Sequence, residues 1–471
     1  MVSVDVLVIG GGPAGMTAAA AAANAGLSVA LVDERPDAGG QIYRGLESGP
    51  FRESSALGAD YRKGAPIIER FRSASIATFF GAALWRIDTD QNGGRAAFSC
   101  SGLHMSISFR KLVAATGAME RPVPFAGWTL PGVMNLGAAQ LLLKSSGLVP
   151  SGRVALLGNG PLLLLFAQQL TTAGVRIGAI LDTAPPVNKV ALGLKHVKAV
   201  LANRKKVLKG IGMLRAVRQS GIPIYKDVSD VMALGQDQLT ELQFVSRDYP
   251  AKLELDLLLV HEGVIPNTHL SRALGCKHVW SDSQACFVPF TDSRGRSSNR
   301  NVFIIGDGAS IRGADAAPAS AEVAVSTILS DLDRANAKSR KVLACALHSL
   351  EKEEKFRPFL DALYPPRLAV TRIADETIIC RCEEVPASAL REAVRDGAIG
   401  PAQAKAFTRC GMGPCQGRMC ALQVSQLLAR ETSASIGDVG SYNVRFPLKP
   451  ITLADMAASA EPSVKDDSHA H

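Results

Sequence analysis

The chain is 471 residues long, 47% hydrophobic and 20% charged, with a formal net charge of +9. That length is a prior for roughly two to four domains, and the composition describes a globular protein with a large core, which excludes disordered and fibrous classes. The charge is modest for the size and no aromatic-interleaved basic stripe accompanies it, which argues against nucleic acid as a partner.

The stretch VSVDVLVIGGGPAG, residues 2–15, organises the rest of the chain. An apolar run reaches Ile9 and then turns on Gly10, Gly12 and Gly15 in the spacing G-x-G-x-x-G. Residues 16–26 are small and read as a helix, and the apolar segment 29–32 ends at Asp33, with Glu34 next to it. Strand, tight turn, helix, strand and acid in that order form a dinucleotide site. Gly10 permits the turn, Gly12 lets backbone amides reach a pyrophosphate with Ala14 in the same turn, Gly15 lets helix and strand close up, and Asp33 is placed to cap a ribose. The first apolar run is too short for a signal peptide and has no basic region before it. The longest apolar runs, near 18–23 and 162–167, fall short of the roughly 20 residues of a membrane span. We therefore expect no transmembrane segment and a cytoplasmic protein, at most peripheral to the inner membrane.

Residues 34–44, ERPDAGGQIYR, form a loop in which Gly39 and Gly40 permit close backbone approach to a cofactor and Gln41 can hydrogen-bond to a flavin ring. No cysteine occurs before Cys100 and no C-x-x-C occurs anywhere, so a disulfide relay is excluded by composition. Residues 97–117 alternate strands and turns and end in Ala115-Thr116-Gly117, a strand returning backbone toward the nucleotide. Pro122, Pro124, Pro131, Gly127 and Gly132 mark a domain crossover. From Val154 a second strand-turn-helix begins; Gly158 and Gly160 fit the fingerprint, but Leu163 stands at the third position, where it is expected to crowd a pyrophosphate and leave nicotinamide binding in doubt. Between Asp182 and Asp227 the sequence holds no acid and many lysines and arginines. That stretch reads as a solvated helix face, or as a docking surface for an acidic protein partner, an anionic surface or a nucleotide phosphate. His261 and His269, without a paired acid or nucleophile in sequence, read as structural. Gly306-Asp307 ends another strand, where a carboxylate can accept hydrogen bonds from a flavin ribityl chain, and a helix over 316–330 comes next.

Five of the nine cysteines fall within residues 380–420. An odd, uneven set does not form a secreted disulfide framework. Cys380 and Cys382 form C-x-C, and Cys415 and Cys420 form C-x4-C. Two loops carrying four thiolates suit a [2Fe–2S] cluster, with zinc as the structural alternative. Gly411, Gly413 and Gly417 would bring amides toward the sulfurs, and Cys410 reads as a bystander. The domain plan is a flavin-binding domain over 1–120 and 261–335, a second Rossmann-like domain over 121–260, a linker over 336–375, a cysteine-cluster domain over 376–450 and a tail over 451–471. The fold class is thus α/β: two Rossmann-like domains, the first discontinuous, plus a small helical C-terminal cysteine domain.

The stretches VIGGGPAG, VDERPDAGGQIYRG, ATGAMERPVPFAGWTLPGVM, GVIPNTHL, GDGASIRGADAA and CRCEEV…TRCGMGPCQGRMC together resemble the α (A) subunits of bacterial heteromeric flavin-dependent amine and amino-acid dehydrogenases. The resemblance implies FAD held by Gly10, Gly12, Ala14, Gly15, Asp33, Glu34, Gly40, Gln41, Thr116, Gly117, Gly306 and Asp307. It also implies a [2Fe–2S] cluster on Cys380, Cys382, Cys415 and Cys420, similar to bacterioferritin-associated ferredoxin, and leaves open an FMN at a subunit interface. Substrate oxidation would then belong to a separate FAD-dependent β subunit similar to D-amino-acid or sarcosine oxidases, with room for a small third subunit. The present chain would pass electrons from opines, D-hydroxyproline, proline or glycine to an acceptor. A stand-alone NAD(P)H-dependent reductase is the alternative.

Overall fold

The structure, a computed structural model, describes residues 2–53, 57–366 and 373–458. The N-terminal strand Val2–Ile9 lies at the centre of a parallel sheet, between Val29–Val32 on one side and Leu103–Ala114 on the other, with Ala77–Phe79 and Val302–Ile304 completing the parallel part. Register pairs Val8 with Leu31 and with Val113, and Val113 with Phe303. A strand covered on both faces reads as a continuous apolar run, which is why residues 6–9 are buried without alternation. The helix Pro13–Asn24 carries seven alanines and one glycine among its twelve residues and is buried along residues 14–22. Its small side chains let it sit between the sheet and the equally small-faced helix Ala316–Asp331. Antiparallel strands Ala82–Thr89 and Gly94–Cys100 extend the sheet through the first half of Leu103–Ala114.

The second unit is a five-stranded parallel sheet in the order Ile224–Lys226, Ile177–Asp182, Val154–Gly158, Leu257–His261, Val133–Asn135. The helix Pro161–Thr172 packs on it, and a three-stranded antiparallel sheet spans 228–254. The chain leaves and re-enters the first unit through one short ladder, Ala118–Glu120 against Val264–Pro266.

The stretch 336–375, expected to be a linker, instead contains the helix Ala337–Leu363, with Pro358 inside it. Asn336 and Ser339 form a reciprocal capping box at its start. It packs along Ala316–Asp331 through Leu343, Ala346 and Leu350. Its charge and proline conceal this from a reading by composition. The C-terminal domain folds around Ile379, Leu390, Val424, Leu427 and Leu428, with helices Ala387–Arg395, Pro401–Thr408 and Ala421–Glu431. In the tail, residues 453–458 are helical and 459–471 lie outside the described residues. No described helix is long and apolar enough to cross a membrane.

Candidate dinucleotide and cysteine sites

The glycines of the first turn face different neighbours, and this separates folding from binding. A Cβ on Gly10 would lie 2.4 Å from the Ala115 carbonyl oxygen, and one on Gly15 only 1.8 Å from that of Gly10. Both are therefore required by the fold. Gly12 has φ −77°, and the nearest atom to a Cβ there is Gly40 Cα at 3.9 Å. Nothing among the described residues demands a glycine at 12. Gly40 leans onto Gly12, and Gly39 N–H donates to the Gly11 carbonyl at 2.9 Å. Asp33 accepts from the Gly11 amide through one oxygen and from the Arg35 amide at 2.7 Å through the other. Glu34 pairs with Lys449.

The later motifs converge on the same crevice. A Cβ on Gly306 would meet Ala14 at 2.9 Å, and one on Gly308 would meet Thr116 Oγ1 at 3.1 Å. Thr116 donates to the Asn267 carbonyl at 2.9 Å, and Asp307 Oδ1 accepts from the Arg312 and Gly313 amides. Gln41 Nε2 donates to the Ala118 carbonyl at 3.2 Å. Gly10, Gly12, Ala14, Gly15, Asp33, Gly40, Gln41, Thr116, Gly117, Gly306 and Asp307 thus gather at the carboxyl ends of four parallel strands, where open α/β sheets bind their ligands. Sequence reasoning missed Lys144. Its buried ammonium donates to the Gln41 and Ile42 carbonyls at 3.2 and 3.0 Å, which fastens the Gln41 loop from behind. Burial, with Arg44 nearby, lowers its pKa to about 8.

The second crevice is bordered by the chain's own Tyr364 and Pro365. Leu163 does not crowd its mouth: the side chain joins the core with Leu156, Phe166 and Leu143. Asn159, between Gly158 and Gly160, instead donates to Glu262 Oε2 at 3.2 Å, to Thr183 Oγ1 at 3.3 Å and to the Pro365 carbonyl at 3.5 Å. Tyr364 lies close enough to Asp182, at the end of the next strand, that the carboxylate adds to the burial that raises its phenol pKa. Tyr364 and Pro365, just past the long helix, therefore stand against Asn159 and Asp182 at the edge of this crevice. His261 Nδ1 pairs with Glu120 Oε1 at 2.7 Å, and Glu120 Oε2 accepts from the Gly137 amide, so this histidine is a buried structural partner.

In the C-terminal domain the sulfurs of Cys380, Cys410 and Cys420 lie within 4.8 Å of one another and are buried. Cys382 and Cys415, both more exposed, interact with each other beside them. Cys410 is therefore no bystander in space, although sequence spacing sets it apart. The Cys410 and Cys420 thiols, with the Gly411 amide, hold Cys380 well below its ordinary pKa. A Cβ on Gly413 would strike Cys382, whereas Gly411 and Gly417 make room for the Tyr442 ring. All nine cysteines are free thiols.

The two sites share a wall. Asn267, whose N–H donates to the Gly117 carbonyl at 2.9 Å, lines a narrow cavity of about 50 Å³ together with His269, Arg272, Gln416, Gly417 and Tyr442. The domains are pinned there by Trp128 Nε1 donating to the Ile378 carbonyl at 2.7 Å and by Gln423 to the Pro122 carbonyl. His269 Nε2 has no partner among the described residues. Burial, then Arg418 and Arg272, lowers its pKa to about 4, and burial with Arg272 lowers that of His278 to about 4. Neither is placed to exchange protons near neutral pH. Both fall below the ordinary 6.5 of the unfolded chain, so the unfolded state binds protons that the folded state refuses. Stability is complete above about pH 6.5 and is lost as pH falls toward 4, by on the order of 3 kcal/mol per histidine. Urea midpoints measured across that window should fall, and His278→Gln should flatten the slope by about half.

Fold and crevice define a two-dinucleotide-domain oxidoreductase. Residues 4–327 match the pyridine nucleotide-disulphide oxidoreductase family, and residues 375–460 match the sarcosine oxidase A3 domain. The opine oxidase A subunit of Agrobacterium tumefaciens (strain Ach5) is 42% identical, over 96% of this chain and 91% of that protein. The HcnB subunit of hydrogen cyanide synthase from Pseudomonas aeruginosa is 35% identical, over 95% and 97%. The crystal structure of L-proline dehydrogenase from P. horikoshii shares the fold, with a TM-score of 0.72 at 20% identity over 97% of this chain and 79% of that one. The chain belongs to the pyridine nucleotide-disulphide oxidoreductase family, a family of flavin-dependent enzymes, and within it to the group that includes the opine oxidase A subunits and HcnB. The resemblance read from the sequence motifs holds.

Proposed function

We propose that this chain is the FAD- and [2Fe–2S]-containing electron-transfer subunit of a heteromeric dehydrogenase or oxidase acting on the CH–NH group of opines or imino acids. The observation that carries this reading is the shared wall: Thr116–Gly117 at the glycine crevice contacts Asn267, which lines one cavity with Gln416 and Gly417 of the cysteine loop. Gly10, Gly12, Ala14 and Gly15 would take the pyrophosphate, Asp33 and Glu34 the ribose, Gly40, Gln41, Thr116 and Gly117 the ring end, and Gly306 and Asp307 the ribityl chain. The open Cβ position at Gly12 and the left-handed Gly117, with no atom within 4 Å of a Cβ, fit a bound cofactor. Cys382 with Cys415 and Cys380 with Cys420 fit two thiolate pairs. When bound, a flavin exchanges electrons in pairs or singly and a [2Fe–2S] cluster singly, so together they join hydride chemistry to one-electron chemistry.

The chain's own residues bind and shield rather than catalyse. Ser271 Oγ and His278 Nε2 meet at 2.9 Å, but Ser271 is buried and its hydroxyl also donates to the Thr268 carbonyl, and His261 is locked to Glu120. Substrate oxidation accordingly falls to a partner flavoprotein, the β subunit of a cytoplasmic assembly. The stand-alone NAD(P)H reductase reading is disfavoured by Tyr364 and Pro365, which stand against Asn159 and Asp182 of the second crevice. Co-expression with an oxidase-like flavoprotein from the same genome tests the assignment. The complex should oxidise octopine, nopaline or an imino acid and reduce the cofactors of this chain, which alone stays oxidised with the same substrates. Reduction of the isolated chain by an opine would overturn the division of labour.

A further inference from the structure

Helices Lys189–Lys195, Val197–Ala202 and Arg204–Gln219 follow one another with bends at His196 and Asn203. Their inner side is fully engaged. Met213 and Val217 are buried, the His196 ring meets Phe359 at 6.1 Å, Lys206 bonds Asp315 and Glu353, and Lys209 pairs with Asp60. A second apolar stripe runs along the outer side: Val190, Leu194, Val197, Leu201, Leu208 and Ile211. Val190 and Leu194 lie four apart on the first helix, Val197 and Leu201 four apart on the second, and Leu208 and Ile211 three apart on the third, each the spacing of one helix face. Val190 is 74% exposed, Leu194 70%, and Leu201 and Leu208 65% each. Single exposed leucines are ordinary, whereas six large aliphatic side chains exposed between residues 190 and 211 mark a surface that something covers.

Lys195, Lys198, Arg204 and Lys205 are interleaved with the stripe and exposed, and no acid occurs between Asp182 and Asp227. We propose that this face docks on an anionic phospholipid surface, with leucine and valine entering the headgroup–acyl boundary and lysine and arginine meeting lipid phosphates. Charge and composition select this occupant. Protein interfaces are depleted in lysine and enriched in aromatic residues, while residues 189–219 are lysine-rich and contain no Phe, Tyr or Trp. A second copy across a two-fold axis would set one row of cations against the other. The inference goes beyond the electron-transfer reading and does not depend on it, because its test reads lipid binding alone.

The purified full-length chain, in complex with its partner where that co-purifies, is sedimented with phosphatidylglycerol-rich vesicles and with pure phosphatidylcholine vesicles. Binding is expected to the first and not the second, and to weaken with added salt. The triple variant Leu194→Glu, Leu201→Glu, Leu208→Glu should keep the wild-type visible spectrum and melting temperature and bind anionic vesicles at least about tenfold more weakly. Lys195→Glu with Lys198→Glu should weaken binding by about tenfold or more and leave the fold unchanged. Absence of binding to anionic vesicles, equal binding to both vesicle types, or wild-type binding by the triple variant would each overturn the proposal. So would a triple variant that dissociates a wild-type oligomer and still binds vesicles normally, which would place this face between copies of the chain.

Discussion

Gly12→Val is expected to yield a folded chain that retains iron and lacks flavin. The backbone at 12 is extended on the side any residue adopts, and a Cβ there meets open space, 3.9 Å from Gly40 Cα. Folding therefore tolerates the side chain, but the isopropyl group occupies the line along which the first-turn amides must approach a pyrophosphate. Flavin affinity should fall on the order of 100-fold or more, about 2.7 kcal/mol. Gly15→Ala is the contrast. Its Cβ would lie 1.8 Å from the Gly10 carbonyl oxygen, so helix and strand must separate and soluble expression should be lost. Flavin content per chain, melting temperature and iron are the readouts. Full flavin content in Gly12→Val would mean that the first crevice is not the flavin site.

The second large effect is expected at the cysteines. Cys380 sits among the Cys410 and Cys420 sulfurs, and the Gly411 amide also stabilises its thiolate. Cys380→Ser should reduce iron from about two per chain to near zero and remove the associated visible absorption, with flavin retained. Cys415→Ser should do the same by taking one member of the outer pair. Cys345→Ser, on an exposed face of the long helix, should change neither. Cys410→Ser separates the two ligand sets that the geometry permits. Retained iron keeps Cys380, Cys382, Cys415 and Cys420 as the ligands, and lost iron with Cys415→Ser unaffected transfers the role to Cys410.

The glycine crevice is legible in the sequence because its requirements are local. A Gly-rich turn after an apolar run, an acid at the next strand end, and strands ending in Ala-Thr-Gly and Gly-Asp each carry their own signature. The features that spacing does not reveal depend on distant parts of the chain. Lys144 reaches the Gln41 loop across about a hundred residues of sequence, and only the fold brings its ammonium under those carbonyls. Leu163 looks decisive because the fingerprint is read along the chain, yet its side chain turns into the core. The group that borders the second crevice, Tyr364–Pro365, comes from a stretch whose charge and proline read as linker. Spacing sets Cys410 apart, and the turn over residues 409–413 brings it against Cys380. In the basic stretch the absence of acids is plain from the sequence; that its leucines point outward is not.

The measurement that tests the account most directly is an anaerobic visible spectrum of the purified chain, with iron and zinc analysis, before and after NADH. The account predicts oxidised flavin together with iron–sulfur absorption, both unchanged by NADH because Tyr364 and Pro365 stand against Asn159 and Asp182 of the second crevice. Prompt bleaching by NADH would contradict the electron-transfer assignment in favour of a reductase, and zinc without iron would remove the one-electron half of the mechanism.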